Sequence, residues 1–122
     1  MNKFKQLLVW QKAVEFAVDI YKTTSKFPKQ ERFGLTSQLQ RSPSSIAFNI
    51  AEGAGRGSKK EFSHFLDIAL GSTCEAETQL IIAEKLGYIS MDDLIKNTES
   101  LEEIQKMLHG LKKSNLTSQT NY

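Results

Sequence analysis

The residues best placed to do chemistry lie together in mid-chain, between Asn49 and Phe62. Gly53, Gly55 and Gly57 alternate with Ala54 and Arg56, and Ser58, Lys59, Lys60 and Glu61 follow. Ser58 with Glu61 three residues on is a capping box, so a helix begins there. Backbone N–H groups at a helix start, with cations in the first turn, can hold a phosphate. The same features also describe a flexible turn carrying solvated lysines. The glycine repeat follows a helical pattern and not a strand, which excludes a dinucleotide-binding loop. Asn49 and Glu52, just before the corner, are expected to be structural, bonding to the corner's backbone or to a neighbouring subunit.

Other reactive side chains are sparse. Glu61 and His64 have the Glu-x-x-His spacing of a di-iron bundle, but His109 has Lys106 where a second motif needs Glu. His64 also falls nearly opposite the Phe62/Leu80 face, so no metal or other cofactor is expected. The single Cys74 excludes an internal disulfide, lies in an apolar pattern and reads as a buried small hydrophobe. It has no histidine beside it in the helical pattern, and no Gly-x-Ser-x-Gly elbow occurs. Glu75 and Glu77 sit in the middle of a long helix, Glu77 near its core edge. A carboxylate there needs a partner, and Arg41 is the expected one.

Four helical segments must position these residues. Trp10, Val14, Ala17, Tyr21 and Thr24 step by four and three, predicting a first helix over 8–26 with these residues inward. Phe27-Pro28 stops it. A second helix starts near Glu31 or Arg32, with Leu35, Leu39, Ser42, Ile46 and Ile50 inward and a kink at Pro43. The third runs from Ser58 to Leu86, with Phe62, Phe65, Leu66, Ala69, Ala76, Leu80 and Ala83 as its core arc. Leu70, Cys74 and Ile81 make a second apolar stripe on it, expected to be covered by another subunit. Gly87 is a left-handed stop with Tyr88 beside it. Ser90 and Asp93 cap a fourth helix whose core line is Leu94, Leu101, Ile104, Leu108 and Leu111. No segment reads as a strand. The expected fold is all-α, an antiparallel up-down-up-down four-helix bundle. It forms one domain over residues 1–114, followed by a polar, frayed tail over 115–122.

At 122 residues, with 39% hydrophobic and 25% charged residues, the chain falls in the range of soluble single domains. No run of about 18 apolar residues occurs, so a cytoplasmic location away from membranes is expected. The net charge of +2 conceals a division. Residues 1–60 carry eleven Lys/Arg against four Asp/Glu, and residues 61–122 carry five against ten. A basic half suits an anionic partner, and an acidic half beside it equally suits self-assembly.

Leu8-Val9-Trp10-Gln11-Lys12-Ala13, Phe33-Gly34-Leu35-Thr36-Ser37-Gln38-Leu39, Asn49-Ile50-Ala51-Glu52-Gly53 and Ser58-Lys59-Lys60-Glu61-Phe62 recur here at a characteristic spacing. With Gly71-Ser72, Glu75 and Glu77-Thr78-Gln79-Leu80, they make residues 4 to about 110 resemble the four-helix-bundle proteins encoded in intervening sequences of bacterial 23S ribosomal RNA genes. A more distant similarity is to the accessory variability protein of diversity-generating retroelements. The chain departs from the pattern at Gln40, where a second arginine is frequent beside Arg41, and at Pro43, Ala47 and Ala76. The resemblance implies a bundle assembling into a ring, a homopentamer, with no established catalysis and with nucleic-acid binding attributed to some basic members.

Together these readings predict a non-enzymatic, homo-oligomeric binding or scaffold module with no small-molecule substrate. RNA or DNA backbone is one expected partner, held in a sequence-tolerant way through Arg56, Lys59, Lys60 and Arg41. A scaffold for protein contacts alone, without nucleic acid, is the alternative.

Overall fold

The computed structural model describes residues 3–117. Among these residues there are four α-helices and no strand: α1 (Leu8–Thr24), α2 (Leu35–Ala54), α3 (Lys59–Lys85) and α4 (Met91–Thr117). Short 3-10 turns at Phe4–Gln6 and Lys29–Glu31 precede α1 and α2. Each helix packs on the next, and α4 returns to α1, giving the antiparallel up-down-up-down bundle.

The caps form as local chemistry dictates. Ser58 Oγ accepts from the Glu61 N–H at 3.1 Å, and Ser90 Oγ accepts from the Asp93 N–H at 3.0 Å. Gly87 has φ +80°, with Tyr88 N–H donating to the Ala83 carbonyl and Gly87 N–H to that of Glu84. This paired bonding closes α3 in a Schellman motif. The second helix begins later than periodicity suggests, because Gly34 (φ −112°, ψ −114°) breaks the backbone. Glu31, read as near the helix start, instead caps it from outside, its Oε1 accepting from Leu35 N–H at 3.2 Å. Its Oε2 accepts from the Tyr88 hydroxyl at 2.8 Å, tying the α1–α2 turn to the α3–α4 turn.

The core contains the expected lines of α2, α3 and α4, including Leu39, Ile46, Ile50, Leu66, Leu80, Leu101 and Leu108, except that Phe65 is half-buried at its edge beneath Arg56. Pro43 is buried inside an α2 that runs on through it. In α1 the buried line is Val9, Ala13, Phe16, Ile20 and Thr24, one position away from the expected Trp10–Val14–Ala17–Tyr21 line. Both lines are apolar and equally periodic; the inner one is fully buried, while Trp10 and Val14 of the outer line pack only on the edge of the core and Tyr21 is exposed. The fourth helix runs to Thr117, past position 115, where the frayed tail is expected to begin. Asn115 is buried, with its Nδ2 donating to the Lys59 carbonyl at 2.9 Å, so α4 is pinned to the start of α3. Residues 118–122 of the expected tail lie outside the described residues.

Candidate functional site

At the 53–60 corner, Gly53 belongs to α2 and is buried against α3. A Cβ there would lie 2.7 Å from Phe65 Cβ and 3.0 Å from Phe62 Cδ1. Glycine is therefore required by close helix approach and not by a turn, and the described residues contain no positive φ except at Gly87. Arg56 is committed within the chain. Its Nη2 pairs with Glu52 Oε2 at 2.9 Å, one helical turn back, and its guanidinium lies 5.1 Å from the centre of the Phe65 ring. Lys60 is exposed, and the backbone carbonyl of Lys59 holds Asn115. The corner thus presents less uncompensated charge than its composition suggests. The antiparallel topology nevertheless brings Lys112 and Lys113, from the end of α4, to the same end of the bundle.

The polar residues of α2 serve mainly to bind it to α3. Ser42 Oγ donates to Gln79 Oε1 at 2.6 Å, and Ser72 Oγ donates to Ser45 Oγ at 3.0 Å. Asn49 Nδ2 donates to the Ser45 carbonyl and hydroxyl at 2.8 and 3.0 Å. Asn49 therefore bonds within its own helix and not to the corner's backbone. Small side chains let the two helices come close enough for these direct bonds, which satisfy the buried hydroxyls and amides. No sequence pattern marks Ser42 and Gln79 as a pair, since they are 37 residues apart.

Arg41 and Glu77 do not pair. Arg41 is exposed on α2, and among the described residues the ion pairs are Lys12–Glu103, Glu52–Arg56 and Asp67–Lys112. Glu77 lies one turn from Thr73, whose hydroxyl accepts from Gln105 Nε2 of α4, so Glu77 sits on the side of α3 away from Arg41. Glu75 is exposed. Glu103 pairs with Lys12 at 3.0 Å across the α1–α4 face, and its hydrogen bond and charge raise the Lys12 pKa above the usual lysine value.

The second stripe of α3 divides. Leu70 packs against the chain's own core, while Ile81 is 38% exposed. Cys74 is also exposed, contrary to its reading as a buried hydrophobe. The inward face of α3 at that level is taken by Thr73 and Ala76. Among the described residues no three His, Cys, Asp or Glu side chains are grouped to hold a metal ion, and no helix is long and apolar enough to cross a membrane.

The largest departure from the sequence reading is a groove between α1 and α2. Val14, Ala17, Val18 and Tyr21 of α1 face Ala47 and Phe48 of α2 across an apolar depression of about 280 Å³. Phe48 is 71% exposed, Tyr21 51% and Val18 48%. The α1 wall is the line that periodicity assigns to the core. Its signal is present in the sequence, as two parallel apolar lines on one helix. Beyond Tyr21 and Phe48 the groove continues to Ser37, Gln40 and Arg41, so a cation stands at one end of an apolar trough.

No curated protein matches the chain significantly in sequence. Among solved structures it is similar to a protein of unknown function from the S23 ribosomal protein family of Bacteroides thetaiotaomicron. The two share 30% identity and superpose with a TM-score of 0.81 over 87% of this chain and 96% of the other. The family model for the 23S rRNA-intervening sequence protein matches residues 5–110. With the match spanning all but the last turns of α4, the chain belongs to the family of 23S rRNA-intervening sequence proteins.

Proposed function

We propose that this chain is a non-enzymatic, homo-oligomeric scaffold, and that assembly through its outer helix faces is the basis of its function. The observation that carries this reading is the α1–α2 groove, where Val18, Tyr21 and Phe48 leave a contiguous apolar surface in solvent. Single exposed apolar residues are ordinary, but a clustered patch with an aromatic on each wall is the signature of an interface. The bundle core is complete without these side chains, so they are free to serve a second contact. A ring, a pentamer by family resemblance, is the expected assembly. Light scattering is expected to give a multiple of the 13.8 kDa chain, and Phe48→Glu is expected to dissociate it. A wild-type monomer at micromolar concentration would overturn this reading.

A second reading, binding of RNA or DNA backbone, is favoured by the gathering of Arg56, Lys59, Lys60, Lys112 and Lys113 at one end of the bundle. Assembly would repeat this end at one level and let a long anion span several copies. For duplex DNA, each phosphate left without its cation makes the slope of log affinity against log salt shallower by about 0.9. Replacing Arg56, Lys59 and Lys60 with Gln together should therefore flatten the slope by about 2 to 3, with oligomer size unchanged. Equal binding by wild type and triple variant would move the site elsewhere, and no binding by wild type would leave the scaffold reading alone.

A further inference from the structure

The groove has a chemically matching surface elsewhere on the same chain. Its walls and floor come entirely from residues 14–48, within the basic half, and Arg41 at its end has no ion-pair partner among the described residues. On α4, Met91 is 52% exposed and Ile95 50%, and Glu99 and Glu102 lie exposed one and two turns further on. The α3–α4 register is set by Thr73 to Gln105 and Asp67 to Lys112. That register places the exposed Ile81 level with the turn of α4 that carries Leu94 to Thr98. Ile81, Met91 and Ile95 are thus exposed apolar side chains toward one end of the α3–α4 pair, a candidate ridge followed along α4 by the carboxylates Glu99 and Glu102, as the groove is an apolar trough that passes into a guanidinium.

We propose that the α1–α2 groove of one copy receives the α3–α4 ridge of the next, Ile95 and Ile81 entering the apolar trough and the acidic turns of α4 lying toward Arg41. This rests on the self-association proposed above and specifies which faces meet. Groove and ridge belong to different helix pairs, so the contact is heterologous. Each copy uses one face and leaves the other open, and such contacts continue head to tail until a ring closes. The competing arrangement, groove against groove about a two-fold axis, would not bring the carboxylates of α4 to Arg41.

The test is a pair of variants at exposed positions, Phe48→Glu in the groove and Ile95→Glu on the ridge, each checked for retained helicity by circular dichroism. Alone, each should be monomeric by light scattering. Mixed, the intact ridge of one fits the intact groove of the other, and the assembly should stop at twice the 13.8 kDa chain mass. Arg41→Glu should weaken wild-type assembly, and adding Glu102→Arg to that chain should restore it. An oligomeric wild type with Ile95→Glu unaffected overturns this inference and leaves the scaffold reading intact. Folded monomeric variants that fail to pair on mixing overturn it as well. A monomeric wild type overturns both.

Discussion

Gly53→Ala isolates the closeness of α2 and α3. In the native backbone the new methyl would stand 2.7 Å from Phe65 Cβ, 3.0 Å from Phe62 Cδ1 and 3.4 Å from the Phe62 carbonyl oxygen. The Phe62 ring can rotate away, but Phe65 Cβ is fixed to the α3 backbone. Reaching even 3.4 Å from it requires the helices to part locally by about 0.7 Å. Inserting a methyl at so close an approach costs about 1–3 kcal/mol. Alanine returns at most about 1 kcal/mol of helix propensity, less in a last turn. The net expectation is a loss of about 1–2 kcal/mol, or a fall of roughly 4–8 °C in Tm for a domain of this size.

Denaturant titration at fixed protein concentration is the assay, since the assembly proposed above would make apparent stability depend on concentration. Gly110→Ala in α4 is the internal control, because its Cβ meets nothing within 4 Å and its φ is not positive. That variant should gain about 0.5–1 kcal/mol. If Gly53→Ala is as stable as wild type while Gly110→Ala shows its gain, α2 and α3 do not approach as described.

Pro43→Ala should be neutral to about 1 kcal/mol stabilising, because a regained helix bond worth up to about 3 kcal/mol offsets the removal of two ring methylenes at about 0.8 each and the stiffness proline gave the unfolded chain. A loss above about 2 kcal/mol by urea titration would show that packing depends on the proline ring. Tyr88 has a pKa raised by its hydrogen bond to Glu31, then by burial and by the Glu31 charge. The protonated phenol is thus favoured on folding, and its stabilisation is complete below the ordinary tyrosine value near pH 10 and lost as pH rises through the higher native value. Ultraviolet titration of tyrosinate should show Glu31→Gln moving Tyr88 back toward the ordinary value, and an unchanged curve would remove Glu31 as the cause.

What is legible in the sequence is what a few neighbouring residues decide. Ser58 with Glu61, Ser90 with Asp93, and Gly87 with Tyr88 each specify a helix end without help from the rest of the chain, and each forms. Arg56 and Glu52 also have ion-pair spacing along a helix, a signal masked by the glycine pattern around it. Gly53 is different in kind. Whether a glycine turns a chain or admits a neighbouring helix depends on what packs against it, and Phe62 and Phe65 come from the next helix. Asn115 likewise looks like a tail residue until the carbonyl of Lys59, 56 positions earlier, arrives beside it.

The displaced line on α1 shows why an exposed apolar face is harder to read than the fold. A stripe of period 3.6 states that a helix face is covered, not by what. Val9–Ala13–Phe16–Ile20 and Trp10–Val14–Ala17–Tyr21 satisfy the pattern equally, and within one chain only one can occupy the middle of the bundle. Assigning the outer line to the core hides Tyr21 as surface and leaves α3 as the apparent interface. There Leu70 packs on the chain's own core, while Ile81 stays exposed. Which line is which follows from the other helices: α2 brings Ile46 and Ile50 to the inner side of α1, and it leaves Phe48 on the outer side, where Tyr21 is.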